Sequence, residues 1–133
     1  MSVRNRWVIG NWKMNGSLAA NAALLGAVAS APPSAGTLGV CVPFPYLGQT
    51  QSLLGGSAVA WGAQDVSEHA SGAFTGQVSA AMLVEFASTL VLAGHSERRQ
   101  YNAESSELVA RKASAALDAG MTPVICVGET LAE

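Results

Sequence analysis

The sequence has few cysteines and few charged residues, and both shortages exclude classes of protein. Only two cysteines, Cys41 and Cys126, occur among 133 residues, and each lies in an apolar run typical of a strand. A small secreted domain held together by disulfides carries many more, so this composition favours buried free thiols and a cytosolic setting. A disulfide between them is possible but not indicated. Apolar residues make up 50% of the chain and charged residues 12%, which excludes a disordered or fibrous protein.

An excess of basic charge and long apolar runs are also missing. Seven basic residues stand against nine acidic ones, for a net charge of −2, so no basic face for nucleic acid is indicated. No apolar run approaches the roughly 20 residues that a membrane-spanning helix needs. The basic segment 1–6 leads straight into a strand-like run without the apolar core of a signal peptide. We therefore expect a cytoplasmic protein that binds neither nucleic acid nor membrane.

The chain does contain a regular alternation of short apolar runs and helical patterns. Its 133 residues suit one domain with a sizeable core. Strands are predicted over 7–10, 38–42, 58–62, 89–92 and 122–127. Helices are predicted over 18–30, 46–54, 79–86 and 105–119, with Pro32 and Pro33 ending the first of them.

Nearly all-apolar strands that alternate with helices are typical of a parallel sheet buried on both faces. Two architectures satisfy this pattern, a doubly wound sheet and a piece of a (β/α)8 barrel. No Gly-x-Gly-x-x-Gly follows the first strand, which disfavours a dinucleotide site. The one long polar connection, 64–78, is of the kind that usually carries function, and His69 within it is predicted to be solvated.

Polar side chains follow four of the predicted strands. They are Asn11 and Lys13 after the first strand, Gln64 and Asp65 after the third, His95 and Glu97 after the fourth, and Glu129 after the fifth. Since ligands sit at the carboxyl ends of parallel strands, we expect these groups to converge on one edge of the sheet. Ser96 is predicted to cap the turn that begins there.

Lys13 and His95 carry the clearest chemistry. The Lys13 ammonium suits a phosphate or a developing oxyanion, although an ordinary surface lysine is the alternative. His95 precedes a helix start, whose positive end favours a neutral imidazole that can polarise a carbonyl. Arg98 and Arg99 are expected to keep Glu97 ionised. The competing interpretation is a polar loop whose charges form surface ion pairs.

Four segments resemble motifs of the triose-phosphate isomerase family. They are 8–15 (VIGNWKMN), 72–76 (GAFTG) with Ser79 and Ala80, 94–99 (GHSERR), and 122–129 (TPVICVGE). The resemblance covers essentially the whole chain in order. It implies an α/β fold, a partial (β/α)8 TIM barrel with parallel strands 1 to 5 and their helices. A full barrel needs about 250 residues, so we expect 1–133 to be a single incomplete domain that lacks the last three β/α units.

The resemblance also implies a role for each site residue. Asn11 and Lys13 would contact a triose phosphate, and Lys13 would add electrostatic stabilisation. His95 would be the electrophile that polarises the substrate carbonyl, and Glu97 would support the site through Lys13 and proton movement. Thr75 would lie in the loop that reaches the neighbouring subunit's site in the family's dimer. No cofactor and no metal is expected.

Two departures from the family's pattern matter. Gln77 stands where the family commonly has a glutamate, which removes an ion pair expected with Arg98 at the dimer interface. The sixth-strand glutamate that takes the carbon proton is not within 1–133, and Glu97, beside its arginines, is a poor substitute. We therefore expect residues 1–133 to be inactive alone. Their open sheet edges and exposed apolar helix faces should favour self-association, pairing with a complementary C-terminal fragment, or a molten state.

Two other functions stay open. The first is a non-catalytic scaffold that acts by association. The second is a different small phosphate-ligand enzyme on a doubly wound sheet, which a reversal in the strand order would indicate.

Overall fold

A computed structural model describes residues 4–31 and 36–133. The predicted helix stop at Pro32 and Pro33 lies outside the described residues. The strands are β1 (Trp7–Asn11), β2 (Thr37–Val42), β3 (Ala60–Ala63), β4 (Leu90–Ala93) and β5 (Thr122–Ile125). The helices are α1 (Leu18–Ala29), α2 (Leu47–Leu54), α3 (Ala80–Glu85), α4 (Ser96–Tyr101) and α5 (Ser106–Asp118), with a 3-10 turn at Phe44–Tyr46. None of the helices in this part of the chain is long and apolar enough to cross a membrane.

The five strands form one parallel sheet in the order β1-β2-β3-β4-β5. Each strand pairs with its neighbours in sequence, and the order contains no reversal. A doubly wound sheet requires a point at which the strand order reverses, so that architecture is excluded. Sequential parallel strands joined by helices are the repeating unit of a (β/α)8 barrel, which confirms the predicted partial TIM barrel.

Two apolar layers lie on opposite faces of the sheet. The larger layer packs helices against outward-facing strand residues such as Val40, Val42 and Val91. The smaller layer joins Cys41, Leu90 and Leu92, with partly buried residues of β1, β3 and β5 packed around them. Burial in this layer raises the pKa of the Cys41 thiol to about 12, so the thiol is protonated and behaves as a small apolar group.

The prediction that all strands are buried on both faces holds at the centre of the sheet and is wrong at its edges. Every residue of β4 is buried, whereas β1 and β5 have no fully buried residue. Val8 on β1 is 67% exposed and Ile125 on β5 is 51% exposed. The reason is topological, because each edge strand has a sheet neighbour on one side only.

Serine side chains start three of the helices. Ser17, Ser79 and Ser105 each accept a hydrogen bond from a backbone N–H in the first turn of α1, α3 and α5. A fourth start differs from the prediction, since Ser96 is the first residue of α4 and does not cap it. The cap is His95, whose ring nitrogen accepts from the Glu97 N–H. The capping group is therefore itself one of the predicted site residues.

Candidate active site

The carboxyl ends of β1, β3 and β4 bring three predicted site residues into one hydrogen-bonded group. Lys13 follows β1, Gln64 follows β3, and Glu97 lies in the first turn of the helix after β4. Glu97 Oε1 lies 2.8 Å from Lys13 Nζ, and Gln64 Nε2 donates to the Lys13 carbonyl at 2.9 Å. The predicted convergence of polar groups on one edge of the sheet therefore occurs for these side chains.

Lys13 is held at both its backbone and its ammonium. Its φ of 54° lies in the left-handed region, which is uncommon for a residue with a Cβ. The backbone N–H donates to Asn11 Oδ1 at 2.9 Å, and Gln64 fixes the carbonyl. A strained backbone persists where the surroundings determine it, and such residues cluster at functional sites. The Lys13 side chain is 54% exposed, so its ammonium is open to a ligand.

Asn11 uses its oxygen within the protein and keeps its amide nitrogen free. The Oδ1 atom accepts from Lys13, while Nδ2 donates to no other residue in the described part of the chain. Asn11 is the last residue of β1 and is half-buried. This leaves an N–H donor at the strand end, next to the Lys13 ammonium.

The backbone around His95 selects one form of its imidazole. The Glu97 N–H donates to His95 Nδ1 at 3.2 Å, so Nδ1 must carry a lone pair. A neutral ring with an acceptor at Nδ1 carries its proton on Nε2. Glu97 Oε2 also lies 3.5 Å from Nδ1, but an acceptor oxygen adds no hydrogen bond to a nitrogen that is already accepting. The ring therefore offers Nε2–H as a donor.

Glu97 is ionised because of Lys13, and the arginines that follow it in sequence are not the cause. The hydrogen bond from Lys13 lowers the pKa of the Glu97 carboxyl, with a further contribution from the Lys13 charge and only partial opposition from desolvation. The prediction named the right charge state and the wrong neighbours. A carboxyl whose pKa is lowered in this way is a weak proton acceptor.

Arg98 belongs to a buried charge cluster behind the site. Its guanidinium lies 3.2 Å from Asp65 Oδ2 and donates from Nε to Glu104 Oε2 at 2.6 Å. Lys112 completes the cluster, with Nζ 2.8 Å from Asp65 Oδ1 and 2.7 Å from Glu104 Oε2. Asp65 was predicted to lie at the site, but its carboxylate pairs with Arg98 and Lys112 in this cluster. Gln77 accepts a hydrogen bond from Ser67 at 2.5 Å. The ion pairs of Arg98 are with Asp65 and Glu104 and do not involve Gln77.

The buried cluster predicts a loss of stability in acid. Desolvation raises the pKa of the Glu104 carboxyl, but the hydrogen bonds and the charges of Lys112 and Arg98 together outweigh it, so the pKa is lowered. The unfolded chain then binds the proton more readily than the folded chain. The stabilisation is complete above the ordinary pKa of about 4.5 and is lost as the pH falls through the lower folded pKa.

We expect thermal unfolding followed by circular dichroism to show this loss below pH 4.5. Glu104→Gln should lower stability near neutral pH and flatten the acid dependence. An unchanged acid slope in that variant would contradict the assignment to Glu104.

The long connection between β3 and α3 contains no helix or strand, as predicted. Thr75 is exposed near its tip. The prediction that His69 is solvated holds in part, because its side chain is 37% exposed while one face of its ring stacks on Phe74 with centroids 3.6 Å apart and planes at 4°. His69 Nε2 also lies 3.2 Å from Glu68 Oε1. These contacts are made by Glu68 and His69 at the start of the connection, whereas residues 70–77, Thr75 among them, are exposed.

A cavity of about 770 Å³ opens beside His95 and runs along the end of β5. Arg99 and the predicted site residue Glu129 line the same cavity, and Glu129 is exposed. The cavity has room for a small ligand within reach of the imidazole. The imidazole N–H at this cavity, and the Lys13 ammonium and Asn11 amide at the end of β1, are each of a kind suited to an oxygen that gains negative charge.

Gln64 has a role that the sequence did not predict. Its Nε2 donates both to the Lys13 carbonyl and to the Cys41 carbonyl at 3.1 Å. It thereby ties the loop after β1 to the end of β2. The only available signal was its position directly after a strand, which does not specify a partner.

Comparison of the sequence with known proteins finds matches to one enzyme family. The family model for triosephosphate isomerase matches residues 6–133. Triosephosphate isomerases of Cupriavidus pinatubonensis and Bordetella pertussis are 64% and 63% identical to the chain over 131 residues, and each match covers 98% of the chain. The enzyme of Ralstonia nicotianae is 56% identical over 133 residues. These matches cover 53% or 54% of the relatives, so the chain spans about half their length.

Proposed function

Because the chain belongs to the triosephosphate isomerase family, we propose that it supplies part of an active site that interconverts dihydroxyacetone phosphate and glyceraldehyde 3-phosphate. The reaction moves a proton between adjacent carbons through an enediolate, in which the carbonyl oxygen gains negative charge. The observation that carries the proposal is the Glu97 N–H bond to His95 Nδ1 at 3.2 Å. It fixes a neutral imidazole with Nε2–H available to that oxygen.

His95 is the proposed electrophile. Its Nε2–H polarises the substrate carbonyl and stabilises the oxygen as the enediolate forms. A neutral donor serves this role because it stabilises the charge without transferring its proton permanently. The ring is half-buried, with 23% of its side chain exposed, so it meets substrate without being fully hydrated.

Lys13 and Asn11 are the proposed substrate contacts. The Lys13 ammonium attracts the phosphate and stabilises the developing oxyanion, and Asn11 Nδ2 supplies a further donor. Glu97 holds the ammonium in place through the 2.8 Å ion pair. We assign Glu97 a supporting role and not that of the base, since its pKa is lowered.

The complete reaction needs a carboxylate to take the carbon proton, and we propose that this base lies beyond the segment 1–133. The relatives are about twice as long as the aligned segment. We propose that 1–133 is one incomplete barrel domain, completed by the remaining β/α units or by a complementary fragment. A homodimer formed through the 64–78 loop, with Thr75 near the partner's site, is the proposed assembly. The proposed location is the cytoplasm, and no cofactor is required.

A chimera tests the proposed activity. It joins residues 1–133 to the remaining half of the Cupriavidus pinatubonensis relative, which is 64% identical over the aligned part. We expect the chimera to isomerise glyceraldehyde 3-phosphate and residues 1–133 alone to show no turnover. Lys13→Met or a substitution of His95 by glutamine should reduce kcat/KM by at least about 100-fold. Arg111→Met, which removes an exposed cation that pairs with Glu68 and does not line the cavity beside His95, is the matched control.

A non-catalytic scaffold is the second candidate, and the exposed edge strands favour it. Val8 and Ile125 lie on strands with one open side, as a surface for association requires. A folded but inactive chimera would favour this candidate and contradict the isomerase. Turnover by residues 1–133 alone at the rate of the chimera would contradict the proposed position of the base.

A further inference from the structure

Arg99 joins three segments immediately behind His95. Its Nε donates to the Gly94 carbonyl at 2.8 Å, and one terminal nitrogen donates to the Cys126 carbonyl at 3.1 Å. The other terminal nitrogen donates to Ser106 Oγ at 3.1 Å. The guanidinium thus connects the end of β4, the end of β5 and the start of α5. Its planar fork has the geometry for several simultaneous hydrogen bonds, which a lysine lacks.

The guanidinium replaces backbone donors where the sheet ends. The last backbone hydrogen bond between β4 and β5 runs from the Cys126 N–H to the Ala93 carbonyl at 2.9 Å. At Gly94 the chain turns away with φ of 69°. The carbonyls of Gly94 and Cys126 then accept no backbone N–H from the neighbouring strand, and Arg99 donates to both of them. Without it, two carbonyls at the end of the sheet must find other partners.

Arg99 also makes hydrogen bonds to the backbone carbonyls immediately before and after the His95 side chain. Its side chain bonds the carbonyl of Gly94, which belongs to the peptide that leads into His95. Its own backbone N–H donates to the His95 carbonyl at 3.1 Å. A Cβ on Gly94 would lie 2.4 Å from Val109, so this turn accepts only a glycine. Arg99 therefore fixes the backbone that carries the His95 imidazole.

We propose that Arg99 is a positioning residue that sets the orientation of the His95 imidazole toward the substrate oxygen. This inference rests on the proposed function for its catalytic consequence, whereas the orientation itself is independent of catalysis. Loss of the fork would let the Gly94–His95 peptide rotate and move Nε2 away from the oxygen. A misplacement of about 1 Å reduces turnover by roughly 100-fold in oriented active sites.

Kinetics of the chimera test the catalytic consequence. Arg99→Met removes the charge and the fork, and Arg99→Lys keeps the charge alone. Both should reduce kcat by roughly 10- to 100-fold, while KM changes much less, because Lys13 and Asn11 are untouched. Ser106→Ala removes one partner of the guanidinium but neither strand carbonyl, and should retain wild-type kcat. Full recovery in Arg99→Lys, or equal losses in all three variants, would overturn the proposal.

Nuclear magnetic resonance tests the orientation without catalysis. The chain has two histidines, His69 and His95, so the imidazole nitrogens give a simple spectrum and His69 serves as the internal reference. We expect the Nε2–H form of His95 in the unsubstituted chain and a shifted or mixed form in Arg99→Lys, with His69 unchanged. An unaltered His95 would overturn the proposal. Collapse of both histidine signals would mark a merely structural role and also count against it.

If the chimera is inactive and the His95 signal still depends on Arg99, the proposed function fails and the positioning role stands. If the chimera is active and the Arg99 variants match the unsubstituted kcat, the positioning role fails and the proposed function stands.

Discussion

Gly62→Ala is expected to abolish stable pairing of β3 with β4. A Cβ at position 62 would lie 1.6 Å from the Leu90 carbonyl oxygen, a distance that only a shift of the backbone can relieve. The two strands pair in register at Gly62 with Leu90 and at Ala63 with Val91. Moving either strand disrupts this short ladder in the middle of the sheet. We expect unfolding of the chimera in urea to show a loss of about 3 kcal/mol or more.

Gly10→Ala is the matched control for this substitution. Gly10 also lies within a strand, but a Cβ there would meet nothing within 4 Å. Its stability should stay within about 0.5 kcal/mol of the unsubstituted protein. A cooperative transition of unchanged midpoint in Gly62→Ala would show that the close approach of β3 and β4 is relieved at no cost.

Lys112→Met should cause the second large loss of stability. The Lys112 side chain is 8% exposed and lies within 3 Å of both Asp65 and Glu104. Its removal leaves the Asp65 and Glu104 carboxylates to share the single positive charge of Arg98. The Glu104 side chain is only 3% exposed. Breaking a buried ion pair on one side costs about 3 to 5 kcal/mol, because the remaining charge is desolvated without compensation. Urea unfolding of the chimera near neutral pH measures this cost.

Arg111→Met on the same helix is the control. Arg111 pairs with Glu68, but its side chain is 58% exposed, and surface ion pairs contribute at most about 1 kcal/mol. The loss in Lys112→Met should also shrink as the pH falls and the carboxylates are protonated. Similar losses for the two substitutions would contradict the assigned importance of burial.

The fold, and the grouping of the candidate site residues at strand ends, could be predicted because their signals are local. Apolar runs mark the strands, helical spacing and serine caps mark the helices, and the site residues follow strand ends directly. Lys13 and His95 were identified on this basis. The same local reasoning cannot reveal which strands form the edges of a sheet, since that depends on the order of strands in space. Val8 and Ile125 therefore turned out exposed.

Partners of charged residues were the least predictable feature. The sequence placed Glu97 next to arginines, but consecutive helical residues point to different sides, so adjacency along a helix does not produce contact. Arg98 instead contacts Asp65, which lies far from it in the chain. Lys112 resembles any lysine on a helix, and only the tertiary packing of α5 places it beside Glu104. The roles of Gln64 and Arg99 depend on backbone carbonyls, which carry no sequence signal.

The sequential strand order has a consequence for how the chain acquires its structure. Each strand needs only the one before it as a template, so every step closes a loop of one β/α unit and the entropic cost of each closure stays modest. Assembly of the sheet can therefore follow synthesis from the N-terminus, with β2 adding to β1 and each later strand adding to the exposed edge. A defect at Gly62 would arrest this growth at the middle strand and leave the apolar edge of β3 open to other chains.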